Sequence, residues 1–119
     1  MSKKNQKLGK WGEQEASNYL SKKGYKILGK NIRTPHGEID ILASLDQVLT
    51  FVEVKTRGNT AFGNPEISID SRKLGHMEAS ALFYVQTNNY LGTWQCDAIA
   101  ILKSNSKLIE IVHFENVIS

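Results

Sequence analysis

Three side chains stand where charge is costly. Asp40 lies within residues 38–43 (EIDILA), and Glu53 and Lys55 lie within residues 51–56 (FVEVKT). Short apolar, β-branched runs of this kind are strands, and strand side chains alternate between faces. Glu38, Asp40 and Leu42 therefore share one face, and Leu49, Phe51, Glu53 and Lys55 share one face of the next strand. Only the Ser44–Gln47 link separates the two, which predicts an antiparallel hairpin. A turn centred between Leu45 and Asp46 pairs Leu42 with Leu49, Asp40 with Phe51, and Glu38 with Glu53; a slip of two keeps the same faces together. Asp40, Glu53 and Lys55 are thus expected on one side of the sheet. Two carboxylates about 4 Å apart repel by roughly 4 kcal/mol at an effective dielectric near 20. Either one holds a proton or a cation lies between them. Oxygen-only ligands favour a hard dication, Mg²⁺ or Mn²⁺, over zinc. Lys55 would then stabilise developing negative charge or orient a water, an apparatus suited to hydrolysing a phosphodiester. The plainer alternative is a structural ion pair of Lys55 with Asp40 or Glu53.

Positioning these groups requires a scaffold. Leu8, Trp11, Glu15/Ala16 and Tyr19/Leu20 recur at helical spacing, which predicts a helix over Leu8–Lys23 stopped by Gly24. Glu15 lies inside that apolar stripe and Glu13 falls off it. A glutamate on a core-facing stripe needs a partner, and an ion or attacking water at the sheet would supply one. Tyr25–Arg33 reads as a strand before the turn at Thr34–Gly37. Arg57–Pro65 (RGNTAFGNP) is expected to be a mobile loop. Asp70 is placed to cap a second helix running to Asn88, with Leu74, Met77, Ala81 and Tyr84/Val85 inward. Gln95–Lys103 and Leu108–Phe114 complete the pattern as strands. The expected class is a mixed α/β sheet flanked by helices, in one domain over residues 1–119 with residues 1–7 a flexible basic tail.

Composition narrows the options further. The lone Cys96 excludes an internal disulfide framework and a multi-cysteine zinc site. The longest apolar runs are too short to span a bilayer, and the basic start leads into Glu13 and Glu15 rather than an apolar signal core. A cytoplasmic protein with no membrane partner is expected. The first 33 residues hold nine Lys/Arg against two Glu, whereas the rest hold six against ten Asp/Glu. That split fits a polyanion partner, or else a solvated basic face. Arg57 is a candidate phosphate contact or a solvated loop charge. Lys73, opposing the helix dipole, calls for an anion, either a DNA phosphate or a nearby Asp. Glu38 is either an accessory ligand or, as the favoured reading, a hydrogen-bonder of the turn; His36, His76, His113, Asp97 and Cys96 are read as structural or surface groups, and Trp11 and Tyr19 as core.

An Asp in one strand, Glu-x-Lys in the next and a preceding helical Glu resemble the PD-(D/E)XK nuclease superfamily. Gly9–Leu20 (GKWGEQEASNYL), Gly24–Arg33 (GYKILGKNIR), Gly37–Ala43 (GEIDILA), Phe51–Arg57 (FVEVKTR), Phe62–Gly63 and Lys73 resemble, more closely, the small bacterial YraN-type family, described as endonuclease-like and Holliday-junction-resolvase-like. The Pro that names the superfamily is absent before Asp40. The resemblance implies a restriction-endonuclease-like αβββαβ core with Glu15, Asp40 and Glu53 as acidic site residues and Lys55 as catalytic lysine. With it go Mg²⁺ or Mn²⁺ as the expected cofactor and DNA as the expected substrate; Lys73 resembles the place where the superfamily puts a polar site residue, and Arg57, next after the motif, is the candidate phosphate clamp. A domain this small offers little surface for reading bases, so structure-selective cutting is expected, with a homodimer for a branched substrate. The other class kept open is a nucleic-acid-binding module that retains the fold without cutting.

Overall fold

Period-two patterning in the first half and apolar strands in the second build one sheet. The computed structural model describes residues 3–57, 71–104 and 107–118. Its elements are α1 (Lys3–Lys22), β1 (Lys26–Thr34), β2 (Gly37–Leu45), β3 (Val48–Arg57), α2 (Ser71–Thr87), β4 (Trp94–Ser104) and β5 (Lys107–Phe114). The strands lie side by side in chain order, antiparallel except for the parallel pair β3–β4. A parallel pair needs a long crossover, and α2 lies in it. This is the expected mixed α/β, restriction-endonuclease-like architecture.

The helices cover opposite faces. Ala16 and Leu20 of α1 pack on Ile41, Ala43, Val52, Ile99 and Ile101. Ala81 of α2 packs on Leu42, Leu49, Phe51 and Cys96, with the Phe51 ring edge-on to Tyr84 and Trp94 at 5.7 Å. Strands covered on both faces read as nearly continuous apolar runs, which is how β4 reads. Cys96 is buried there, and burial pushes its thiol up to about 12, so it is an inert core residue. Among the described residues no helix is long and apolar enough to cross a membrane.

Two features differ from expectation, the start of α1 and the register of the hairpin. Residues 3–7, read as a basic tail, belong to α1, because Lys and Gln are good helix formers and nothing before Gly9 breaks the helix. At its other end, Gly24 takes φ +98°; its N–H donates to Ser21 O, and Tyr25 N–H donates to Leu20 O. That double closure requires the left-handed residue that glycine supplies. The hairpin closes at Leu45↔Val48 and pairs Leu42 with Phe51, two residues away from the expected register. Asp46 and Gln47 both adopt positive φ in the turn. The expected centre would have forced Leu45 into that conformation, which Asp tolerates better than a bulky apolar residue. The expected loop beyond Arg57, the Asp70 cap and Phe62–Gly63 lie outside the described residues.

Asp97 is the polar anchor of the α1 side, fully buried in β4. Its Oδ2 lies 2.8 Å from His113 Nε2, and its Oδ1 accepts from Gln95 Nε2 and Asn116 N, each at 2.9 Å. Lys23 Nζ is 3.2 Å from His113 Nδ1. An ammonium only donates, so Nδ1 accepts and the Nε2–H is directed at Asp97. Asp97 and His113 are structural, as the sequence suggested. Asp97→Ala leaves three donors facing a buried void, and we expect it to lower unfolding stability by about 3 kcal/mol, read from the urea midpoint.

Candidate active site

The site forms where the β2–β3 ladder stops. Backbone pairing runs from Leu45↔Val48 to Ile41↔Val52. Beyond it, the Val54 N–H donates to Asp40 Oδ2 at 2.8 Å, so a carboxylate occupies the place of a main-chain acceptor. On the other flank β3 continues pairing with β4 as far as Arg57↔Leu102, which holds Glu53 and Lys55 on a rigid strand.

Strict alternation fails at the same point. Ile41 packs in the α1-side cluster, whereas Ile39 packs in the α2-side cluster. Across from Asp40, Asn31 adopts φ +53° between the pairs Lys30↔Ile41 and Ile32↔Ile39. The register is the same on both sides of this left-handed residue, but Asn31 and Asp40 are left out of the pairing. With its amide nitrogen facing the carboxylates, Asn31 donates to Glu38 Oε1 at 3.0 Å and Glu13 Oε1 at 3.1 Å.

Glu13, Glu38 and Asp40 have carboxylate oxygens within 4.8 Å of one another. Glu15 is not in this group, contrary to the stripe argument. The buried face of α1 is Gly12, Ala16, Ser17 and Leu20, rotated from the expected stripe so that Glu13 borders it. Successive helical residues are about 100° apart, so residues 13 and 15 cannot both face the hairpin. Gly12 sets the choice, because a side chain there would collide with the Thr56 hydroxyl of β3. A glycine inside a helix costs about 1 kcal/mol and signals close backbone approach. That was the legible pointer to Glu13. Glu38, for which the sequence favours a turn role over that of accessory ligand, joins the same group.

The remaining predicted residues gather around Glu53. Glu53 follows the parity of Phe51 and lines the α2 side of β3 together with Lys73, while Val54 packs toward α1. Its Oε2 is shielded from solvent. Lys55 is held below the usual lysine range by burial, then by a hydrogen bond and charge repulsion from Lys73; Glu53 opposes this and Arg57 adds to it. Asp40, Glu53 and Lys55 therefore do not share one flat face. Asp40 sits at the ladder's open end, where α1 contributes Glu13, and Glu53 and Lys55 approach from the α2 side. Glu53 remains close enough for its charge to act on Asp40. Lys73 and Arg57 both act electrostatically on Lys55. His36 and His76, read as structural or surface groups, line a cavity next to Glu53.

Residues 12–101 match the profile of "Uncharacterised protein family UPF0102". The chain belongs to the UPF0102, or YraN-type, family. It is 42% identical over 104 residues to the UPF0102 protein of Syntrophomonas wolfei, covering 87% of this chain and 90% of that relative. Identity to the UPF0102 protein of Thermodesulfovibrio yellowstonii is 45% over 109 residues, covering 92% and 93%. The UPF0102 match runs from the middle of α1 through most of β4 and so contains Glu13, Glu38, Asp40, Glu53 and Lys55.

Burial pushes the Asp40 carboxyl up to about 7; the Val54 amide opposes this, and the charges of Glu13, Glu53 and Glu38 reinforce it. Burial likewise raises Glu13, against the pull of Asn31. A raised acid favours folding at low pH and loses that contribution as pH climbs from its unfolded value toward 7. In metal-free protein, Asp40→Asn should therefore be nearly neutral near pH 4 and stabilising by about 4 kcal/mol at pH 8. Urea melts of both proteins at the two pH values would measure this, and a wild type more stable than the variant at pH 8 would contradict it.

Proposed function

We propose that this UPF0102 chain is a metal-dependent endonuclease that hydrolyses DNA phosphodiesters and selects its target by backbone shape. The observation that carries this reading is the Asp40 carboxylate at the end of the β2–β3 ladder, with Glu13 and Glu38 within 4.8 Å and Lys55 on the adjoining strand. The donor set suits the implied cofactor. Its ligand atoms are all oxygens, the choice of Mg²⁺ or Mn²⁺, and their mutual repulsion is the kind a dication relieves. Asp40, Glu13 and Glu38 would hold the ion, with Glu53 beside them. Such an ion supplies Lewis acidity and a more acidic water.

The chain's own groups supply the rest. Lys55, next to Glu53 and Lys73, is placed to donate to a phosphate oxygen and offset the charge that grows there during hydrolysis. Lys7, Lys10 and Lys22 of α1, Lys23 just after it, and Lys26 and Lys30 of β1 are all exposed. Lys10 and Lys30 also act electrostatically on Glu13, so this cationic surface reaches the acidic group. Phosphates following it would approach Asp40. Arg57 extends the positive surface from the end of β3.

Incubating the protein with linear, nicked, flapped and branched DNA in Mg²⁺ or Mn²⁺ should produce cuts in at least one substrate, and chelator should stop them. Asp40→Ala, Glu53→Ala and Lys55→Ala should each reduce the rate by about 10²–10³-fold. Added Mn²⁺ should raise the melting temperature of wild type but not of Glu13→Gln, whereas Glu15→Gln should respond like wild type. No cleavage of any substrate, with salt-sensitive DNA binding that ignores Mg²⁺ and survives Asp40→Ala, would instead establish a non-catalytic binding module.

A further inference from the structure

Beside the acidic group, on the α2 side, lies a cavity of about 180 Å³. Glu38 and Glu53 line it, so it opens directly off the candidate active site. Its apolar walls are Ile39 and Phe51 from the sheet and Met77 from α2, while Lys73, His36 and His76 add polar lining. The wall formed by the β1–β2 turn is held to α2. Thr34 Oγ1 donates to Gly37 O at 2.8 Å and lies 3.0 Å from the buried Ser80 Oγ, and His36 N donates to Thr34 Oγ1 at 3.1 Å. The His36 ring meets Phe83 edge-on at 6.2 Å. The cavity is thus pre-formed by two elements tied together, and binding costs little ordering.

Size and chemistry restrict the occupant. The volume falls well below the roughly 300 Å³ at which sites for drug-sized molecules begin, leaving room for one planar ring system rather than a whole nucleotide. Apolar walls disfavour a phosphate in the interior, and two carboxylates in the lining disfavour any anion there. A neutral heterocycle with apolar faces and a polar edge satisfies both conditions. Lys73, shared between the cavity and Lys55, is where the attached phosphate would be met.

We propose that this cavity receives one unpaired nucleobase of the substrate, next to the phosphate contacted by Lys55 and Lys73. This rests on the reading that nucleic acid passes through the site, and it narrows the substrate to DNA with a base outside the stack. A base in intact duplex must first leave its neighbours, whereas a bulge, flap or junction offers one already unstacked.

The test compares a DNA hairpin carrying one bulged 2-aminopurine with its fully paired counterpart, both in EDTA. Wild type should bind the bulged form about tenfold more tightly and change the fluorescence of the bulged base. Met77→Trp, which fills the cavity, should bind both forms alike and leave the fluorescence unchanged. Photocrosslinking of wild type to 5-iodouracil at the bulge needs no variant, and its adducts should fall on His36, His76 or Met77. Equal wild-type affinity for the two hairpins, a preference that persists in Met77→Trp, or crosslinks confined to the α1 surface would each overturn the proposal. Equal cleavage of paired and bulged DNA would also overturn it while leaving the nuclease reading intact. A bulge preference that Met77→Trp abolishes, in a protein that cuts nothing, would support the pocket and remove the nuclease.

Discussion

The bond from the Val54 N–H to the Asp40 carboxylate is the constraint around which the rest of the site is arranged. A buried main-chain donor must have an acceptor, and past Ile41↔Val52 it finds a side chain instead of the next strand. The bond fixes Asp40 at the end of the ladder, where burial and neighbouring acids raise its proton affinity. On its other side β3 is fully paired with β4, so opening the ladder does not loosen the strand that carries Glu53 and Lys55. An acid held by the backbone of a rigid strand is pre-organised for binding, because little of its freedom remains to be lost.

The two faces of the sheet contribute different charges to this end. From the α1 side come Glu13 and, through Asn31, its link to Glu38. From the α2 side comes Lys73, close enough to Lys55 to lower its proton affinity. Like charges are therefore gathered twice, three acids on one side and two lysines on the other, with Glu53 between. Concentrations of like charge are expensive in a folded protein and cluster at functional sites. On the reading proposed above, a dication would relieve the crowding of the acids, and a phosphate would be met at Lys55 and Lys73.

The cavity belongs to the same logic. It is walled by Phe51 and Met77, residues that otherwise extend the α2-side core, and it opens at Glu38 and Glu53. The Thr34–Ser80 contact links the β1–β2 turn to α2 at this edge of the core. Packing and chemistry therefore meet at one boundary of the sheet.

Much of this was legible from residue order. Five strands and two helices follow from periodicity, and the strand positions of Asp40, Glu53 and Lys55 follow from apolar flanks, because those signals are local. The faces of these residues were not legible. Alternation assumes an unbroken ladder, and a left-handed Asn31 together with a carboxylate replacing a carbonyl broke it. The register moved by two because turn geometry put positive φ on Asp46 and Gln47 rather than on Leu45. The choice of Glu13 over Glu15 depended on how α1 rotates against β3, which Gly12 decides by its contact with Thr56. Residue order by itself determined which chemical groups exist and on which elements they ride. Only the packing of α1, the open hairpin and α2 determined which of those groups meet, since contacts between distant segments are set by shape and not by local preference.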